Sequence, residues 1–229
     1  MLTIAMTVYK RSEYTDKTIK SILENKKNPI EFLILVDNAW AEEKKRMRQL
    51  NDSWNKKDWT IALFNQLNDD KINWLRNLAF EVADWENIFV INDDIEVSKE
   101  FDEKIEAHLT WWNIVNPVFR SPYEEWLRYK DNNISWHARA IKKSDREKIW
   151  KIDSRLKLRY WDDYIFHNAI DHWLKIKRID DVEVFHRVSK TLTNAKIQQE
   201  VKLTKLDDQE WRKQILKEKR RHDFRFETF

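Results

Sequence analysis

Apolar blocks and charged segments alternate along the first hundred residues with the rhythm of a β/α protein. Residues 2–8, 31–36 (Glu-Phe-Leu-Ile-Leu-Val), 60–64 and 87–91 (Asn-Ile-Phe-Val-Ile) are short, mostly apolar runs, the mark of strands buried on both faces. Between them, residues 12–27 carry Ile19, Ile22 and Leu23 at helical spacing, and residues 41–50 and 75–83 read as helices. Strands and helices alternating at this spacing predict a mostly parallel sheet covered on both faces. Right-handed crossovers then place the ends of the first, second and fourth strands along one edge. Polar residues gather at those ends, in Tyr9-Lys10-Arg11, Asp37-Asn38 and Asn92-Asp93-Asp94.

The rhythm changes after about residue 100. Residues 101–109 predict a short helix, 113–120 a strand containing Pro117, and 134–141 another strand. Proline is easiest at an edge or an irregular strand end. A helix start is expected at 144–149, a helix over 164–172, and one or two strands over 174–185 ending at His186. Beyond residue 194 the chain is charged, with Val201, Leu203, Leu206, Trp211, Ile215 and Leu216 spaced for one or two helices.

The most informative chemistry is the Asp93-Asp94 pair, which follows a buried strand at the edge where open α/β sheets build their sites. Adjacent side chains on a strand point to opposite faces. Both carboxylates reach one ligand only if the chain turns there, as it does around a metal carrying phosphates. A solvated turn uses the same residues.

Composition adds an oddity: the 229 residues include no Gly and 13 Trp. Many Trp stand where a turn or helix stop is expected, at Trp40, Trp54, Trp59, Trp85 and Trp173. Trp gains nothing from a polar turn. Either the protein is Trp-rich with aromatic surface patches, or Trp occupies positions that turn chemistry would give to glycine, and where such a position needs positive φ a Cβ costs about 1–2 kcal/mol.

Lys+Arg 43 against Asp+Glu 40 gives a net charge of +3, too mild to imply nucleic-acid binding by itself. The absence of cysteine excludes a disulfide framework and a thiolate metal site. The apolar opening is short and lacks the basic flank and cleavage pattern of a signal peptide. No apolar run is long enough to span a bilayer. A cytoplasmic protein is the expectation.

With its motifs in this order, the chain resembles the family-2-like nucleotide-sugar glycosyltransferases of the Rossmann-like GT-A architecture. Thr7-Val8-Tyr9-Lys10-Arg11 is similar to the family's opening Thr-Tyr-Asn-Arg segment. Val36-Asp37-Asn38-Ala39-Trp40 is similar to its Val-Asp-Asn-Gly-Ser, apart from the missing Gly. Arg76-Asn77-Leu78-Ala79 resembles an Arg-Asn-x-Gly helix start, and Asn92-Asp93-Asp94 an Asp-x-Asp metal motif with Asn in first place. Ile152-Asp153-Ser154, the Asp162-Asp163-Tyr164 helix opening and the late His186 complete the series over roughly residues 1–188. The resemblance implies a nucleotide-sugar-binding half (1–98), an acceptor-binding and catalytic half (99–190) of mixed strands, and a charged helical extension (191–229).

It also implies roles. Thr7, Tyr9, Arg11, Asp37, Arg76, Asn92 and Asp93 would hold the nucleotide diphosphate. Tyr9 could stack on the base, and Asp37 could accept from base or ribose, or simply make its own turn with Asn38. Arg76 near a helix start sits poorly with the helix dipole, which favours a phosphate contact. Asp93 would orient ribose or a metal-bound water. Asp94 and His186 would bind a divalent cation, Mn²⁺ or Mg²⁺, and an imidazole ligand favours Mn²⁺. Asp163 would be the general base of an inverting transfer with Asp162 orienting, against the alternative of helix capping. Asp153 would touch the acceptor or hold its loop. The acceptor would be a saccharide or a nucleic acid.

Three other readings compete. One is a weakened transferase with Trp136, Trp150 and Trp161 crowding the acceptor side. Another is a nucleic-acid-binding protein using Lys217, Lys219, Arg220, Arg221 and Arg225 interleaved with Phe224 and Phe226. The third is a divalent-metal nuclease or phosphatase, which would need converging carboxylates without the Asp37 and Arg76 features.

Overall fold

The computed structural model describes residues 1–9, 13–37, 59–64, 72–120, 138–145, 151–153, 155–156 and 168–186. It also describes positions 45, 49, 148 and 165 and the helical residues 209–211 and 213–214. Among the described residues eight strands form one sheet: β1 (Leu2–Tyr9), β2 (Ile30–Asp37), β3 (Trp59–Phe64), β4 (Asn87–Asn92), β5 (Ile95–Val97), β6 (Ile114–Arg120), β7 (Ala138–Lys142) and β8 (Ile176–His186). Their spatial order is β3-β2-β1-β4-β7-β6-β8-β5. The first four strands in that order are parallel, as the alternating pattern predicts. β7 is antiparallel to β4 and joins the mixed second half onto the same sheet. This is the architecture of a GT-A fold, an α/β sheet with a mostly parallel core.

Alternate residues of each strand feed two apolar layers. Leu2, Ile4, Met6 and Val8 of β1 join Phe32, Ile34, Phe89 and Ile91 on one face. That face is covered by Ile19 and Ile22 of helix α1 (Glu13–Asn25) and by Phe101, Ile105 and Leu109 of α3 (Phe101–Leu109). On the other face Ala5, Leu33, Leu35, Ile88 and Val90 pack with Leu75, Ala79 and Phe80 of α2 (Ile72–Val82). Ile152, Leu156, Ile165 and Ala169 extend this second layer. The central strands have no solvent face, so near-continuous apolar runs are what the position requires.

Several expectations change in detail. α2 begins at Ile72 rather than at 75, because Asn73 is buried while Trp74 is exposed, which inverts the usual helix pattern there. Of the strand expected at 134–141, residues 134–137 lie outside the described residues; the described part is Ala138–Lys142, and a 3-10 turn, Lys143–Asp145, follows it. Residues 174–185 give one strand, β8, with His186 as its last residue. Pro117 lies in an interior strand, but at the point where the β6–β8 register shifts, so its missing N–H falls at an irregularity. The helix expected over 41–50 lies mostly outside the described residues.

The three-residue β5 carries no readable strand pattern. It pairs with β8 on one side. On the other, α1 holds it with hydroxyls one helical turn apart: Ile95 N–H donates to Thr18 Oγ1 (3.1 Å) and Val97 N–H to Ser21 Oγ (3.0 Å). An edge strand satisfied in this way cannot template pairing with another chain.

Trp173 confirms the glycine-like character of one turn. The helical residues 168–171 end in a Schellman motif, with Trp173 N–H donating to Ile170 O (3.0 Å) and Leu174 N–H to Ala169 O (2.9 Å). Trp173 occupies the left-handed position of that motif, at φ 56°, and is 93% exposed. Its ring therefore gains little from burial while its Cβ opposes the backbone. Trp173→Gly should stabilise the fold by about 1 kcal/mol, read as a higher urea midpoint at unchanged slope. A lower midpoint would mean that the indole makes a compensating contact.

Candidate functional site

The register of the sheet brings the polar strand ends together. Tyr9 is level with Asp37, and Thr7 is level with Asn92. Asp37 is fully buried at the end of β2. Thr7 is a junction: its hydroxyl lies 3.2 Å from Ile91 O and 3.4 Å from Asn92 Oδ1, and it receives Arg76 Nη2 at 3.1 Å. Arg76 Nη1 donates to Asn73 Oδ1 at 2.6 Å. The guanidinium is thus aimed from α2 across the sheet edge.

Arg76 is not at a helix start, as its motif suggests. It lies in the second turn of α2, away from the four unpaired N–H groups of the first turn, and the dipole argument for a phosphate contact loses its force. What remains is its burial on the polar edge, in contact with Thr7.

The two acidic neighbours after β4 take different partners. A turn at 93–94 separates β4 from β5. Asp93 Oδ2 accepts from Thr15 Oγ1 (3.1 Å), while its carbonyl accepts from Thr18 Oγ1 (2.8 Å). Asp94 instead faces the end of β8, where His186 Nε2 lies 3.1 Å from Asp94 Oδ2 and each side chain is only 5% exposed. The antiparallel pairing of Ile95 with His186 fixes that approach. Asp93 thereby anchors the turn to α1, and Asp94 presents an oxygen beside an imidazole nitrogen. Thr15, Thr18 and Asn73 escape a reading for charged chemistry. Their only mark in the sequence is that polar residues interrupt the apolar faces of α1 and α2.

An oxygen and an imidazole nitrogen held together on a buried edge suit a divalent cation, Mn²⁺ better than Mg²⁺. Among the described residues no cluster of three or more His, Asp and Glu is placed to hold a metal by itself. Two protein ligands with substrate phosphates supplying others is a usual arrangement for such cations.

On the α2 face, Asn73 Nδ2 donates to Leu156 O (3.0 Å) and Asn77 exchanges two hydrogen bonds with Ile152 (both 3.0 Å). Asp153 accepts from Arg155 Nε (2.9 Å), Nη2 (2.7 Å) and backbone N–H (3.0 Å). Its carboxylate therefore holds the loop. Arg11, Asp162, Asp163 and the Tyr9 side chain lie outside the described residues, as do Trp136, Trp150, Trp161 and the basic tail residues 217–225.

The mostly parallel sheet, its polar strand edge and its mixed second half together make a GT-A fold. The chain belongs to glycosyl transferase family 2, whose sequence pattern matches residues 3–181. No curated protein matches it in sequence. Among solved structures it is similar to GalNAc-T7 with UDP, GalNAc and Mn²⁺ (TM-score 0.67, 11% identity, 82% of this chain and 44% of that one). It is also similar to Staphylococcus aureus TarS 1–349 with UDP (TM-score 0.66, 13% identity, 83% and 61%). The same TarS segment with UDP-GlcNAc gives a TM-score of 0.59 at 11% identity, over 85% and 61%. The chain thus spans about half the length of these solved chains. Among the described residues no helix is long and apolar enough to cross a membrane.

Proposed function

We propose that the chain transfers a sugar from a uridine- or other pyrimidine-diphosphate sugar to an acceptor hydroxyl, with a divalent cation at Asp94 and His186 and inversion at the anomeric carbon. The observation that carries this reading is the buried Asp94–His186 pair at the strand edge that also holds Asp37, Thr7 and Arg76. The UDP and Mn²⁺ bound to GalNAc-T7, and the UDP-GlcNAc bound to TarS, support the donor class.

The roles follow from position. Asp37 accepts from the nucleoside, at the end of the strand beside β1. Arg76, steered by Thr7 and Asn73, offers a cation to the diphosphate. Asn92 contributes a neutral amide, which can bond ribose without adding charge. Asp94 and His186 would hold the cation, which when bound offsets charge on the departing diphosphate. Asp163, carried over from the family pattern, takes the proton from the acceptor hydroxyl.

A thermal-shift screen of nucleotide sugars tests the reading. The melting temperature should rise with a pyrimidine-diphosphate sugar, and rise further when Mn²⁺ is present rather than a chelator. Equal stabilisation by purine and pyrimidine donors, or none by either, would overturn the donor assignment.

A further inference from the structure

We infer that Thr18 of α1 is a positioning residue: its hydroxyl brackets Asp94 and sets that carboxylate against His186. The placement stands on contacts alone, and its consequence for catalysis rests on the transferase reading above. Thr18 Oγ1 donates to Asp93 O (2.8 Å) and accepts from Ile95 N–H (3.1 Å). One hydroxyl thus ties together the two residues on either side of Asp94. Thr18 is buried, so solvent does not compete for either bond.

Three further contacts complete the arrangement. Thr15, one turn earlier on α1, donates to Asp93 Oδ2 (3.1 Å) and turns the Asp93 carboxylate toward the helix. On the far side, Ile95 pairs with His186 in the β5–β8 ladder. His186 Nε2 then meets Asp94 Oδ2 at 3.1 Å. The helix fixes the carbonyl before Asp94 and the amide after it, while the strand fixes the imidazole. Contacts one layer behind a metal ligand decide how well that ligand is aimed.

The same helix supplies an internal comparison. Ser21, three residues beyond Thr18, accepts from Val97 N–H (3.0 Å). Both hydroxyls satisfy the edge of β5, and a purely structural row would make them equivalent. The difference is that the Thr18 bonds flank Asp94, whereas the Ser21 bond falls at the far end of the strand.

The test uses the full chain. Thr18→Val keeps the shape and removes both hydrogen bonds, Thr18→Ala removes them with less bulk, and Thr18→Ser keeps the hydroxyl. The first readout is the His186 ring by ¹⁵N NMR of metal-free, histidine-labelled protein, with His186→Ala assigning its signals and the other histidines reporting folding. Thr18→Val and Thr18→Ala should move the His186 signals, and Thr18→Ser should return them to the parent's positions. Ser21→Ala should lower the melting temperature and leave those signals in place. The second readout is calorimetry of UDP binding with Mn²⁺ and with chelator. The Mn²⁺-dependent affinity should fall on the order of 10–100-fold in Thr18→Val and recover in Thr18→Ser. Unmoved His186 signals in Thr18→Val and Thr18→Ala, no recovery in Thr18→Ser, or an equal loss in Ser21→Ala would overturn the proposal. UDP binding indifferent to Mn²⁺ in the parent would defeat the cation in the transferase reading, while the His186 signals still decide what places Asp94.

Discussion

Asp163→Asn should lower transfer from a nucleotide sugar by on the order of 10²–10⁴-fold while leaving donor binding intact. The substitution nearly preserves shape and removes only the ability to accept a proton. The donor contacts assigned to Asp37, Arg76 and Asp94 belong to other elements of the fold, so they should survive. A leaving diphosphate held on one side and a carboxylate on the other would make the displacement in line, so the product anomer should be inverted. Product configuration by NMR, together with donor affinity by calorimetry, checks both halves. Retention of configuration, or a variant as fast as the parent, would return Asp163 to an ordinary residue of a helix's first turn.

Asp94→Ala should abolish the part of donor affinity that depends on a divalent cation, and His186→Ala should weaken it. The two side chains meet at 3.1 Å only because the turn after β4 sends Asp94 toward the end of β8. Loss of the carboxylate removes the harder ligand and affects Mg²⁺ and Mn²⁺ alike. Loss of the imidazole should fall more heavily on Mn²⁺. Calorimetry of donor binding with each metal and with chelator gives the comparison, with the ligand-free melting temperature as a check on folding. Equal donor affinity with and without metal in the parent would remove the cation from the mechanism.

The parts of this fold that the sequence discloses are those where burial alone dictates residue choice. β2 is buried along its whole length and β4 along most of its own, so their apolar runs announce them. β5 is silent because three residues cannot carry a period and its stability comes from Thr18, Ser21 and β8. The start of α2 is obscured by the buried Asn73, whose polarity serves Arg76 and Leu156 rather than helix patterning. At the site, Asp37 and Asp94 are legible from their place at strand ends. The divergence of Asp93 from Asp94 is not, since it depends on Thr15 and Thr18 of a helix far away in sequence. Turn chemistry is only partly legible: Trp173 takes the left-handed conformation that its place after a helix suggests, while Trp85, marked in the same way, does not, and Glu100, which carries no mark, does.

The pairing of Ile95 with His186 also bears on how the protein comes to be made. A chain emerging from the ribosome exposes β1, β2 and β4 first, and these strands neighbour one another with local crossovers. β5 then has α1 behind it but no strand beside it until β8 is synthesised. Closing that distant loop costs entropy that only the last strand repays. The nascent polypeptide therefore acquires its Asp37–Arg76 edge early and joins His186 to Asp94 late. A chain arrested before β8 would carry the first half of the site without the residue that completes it.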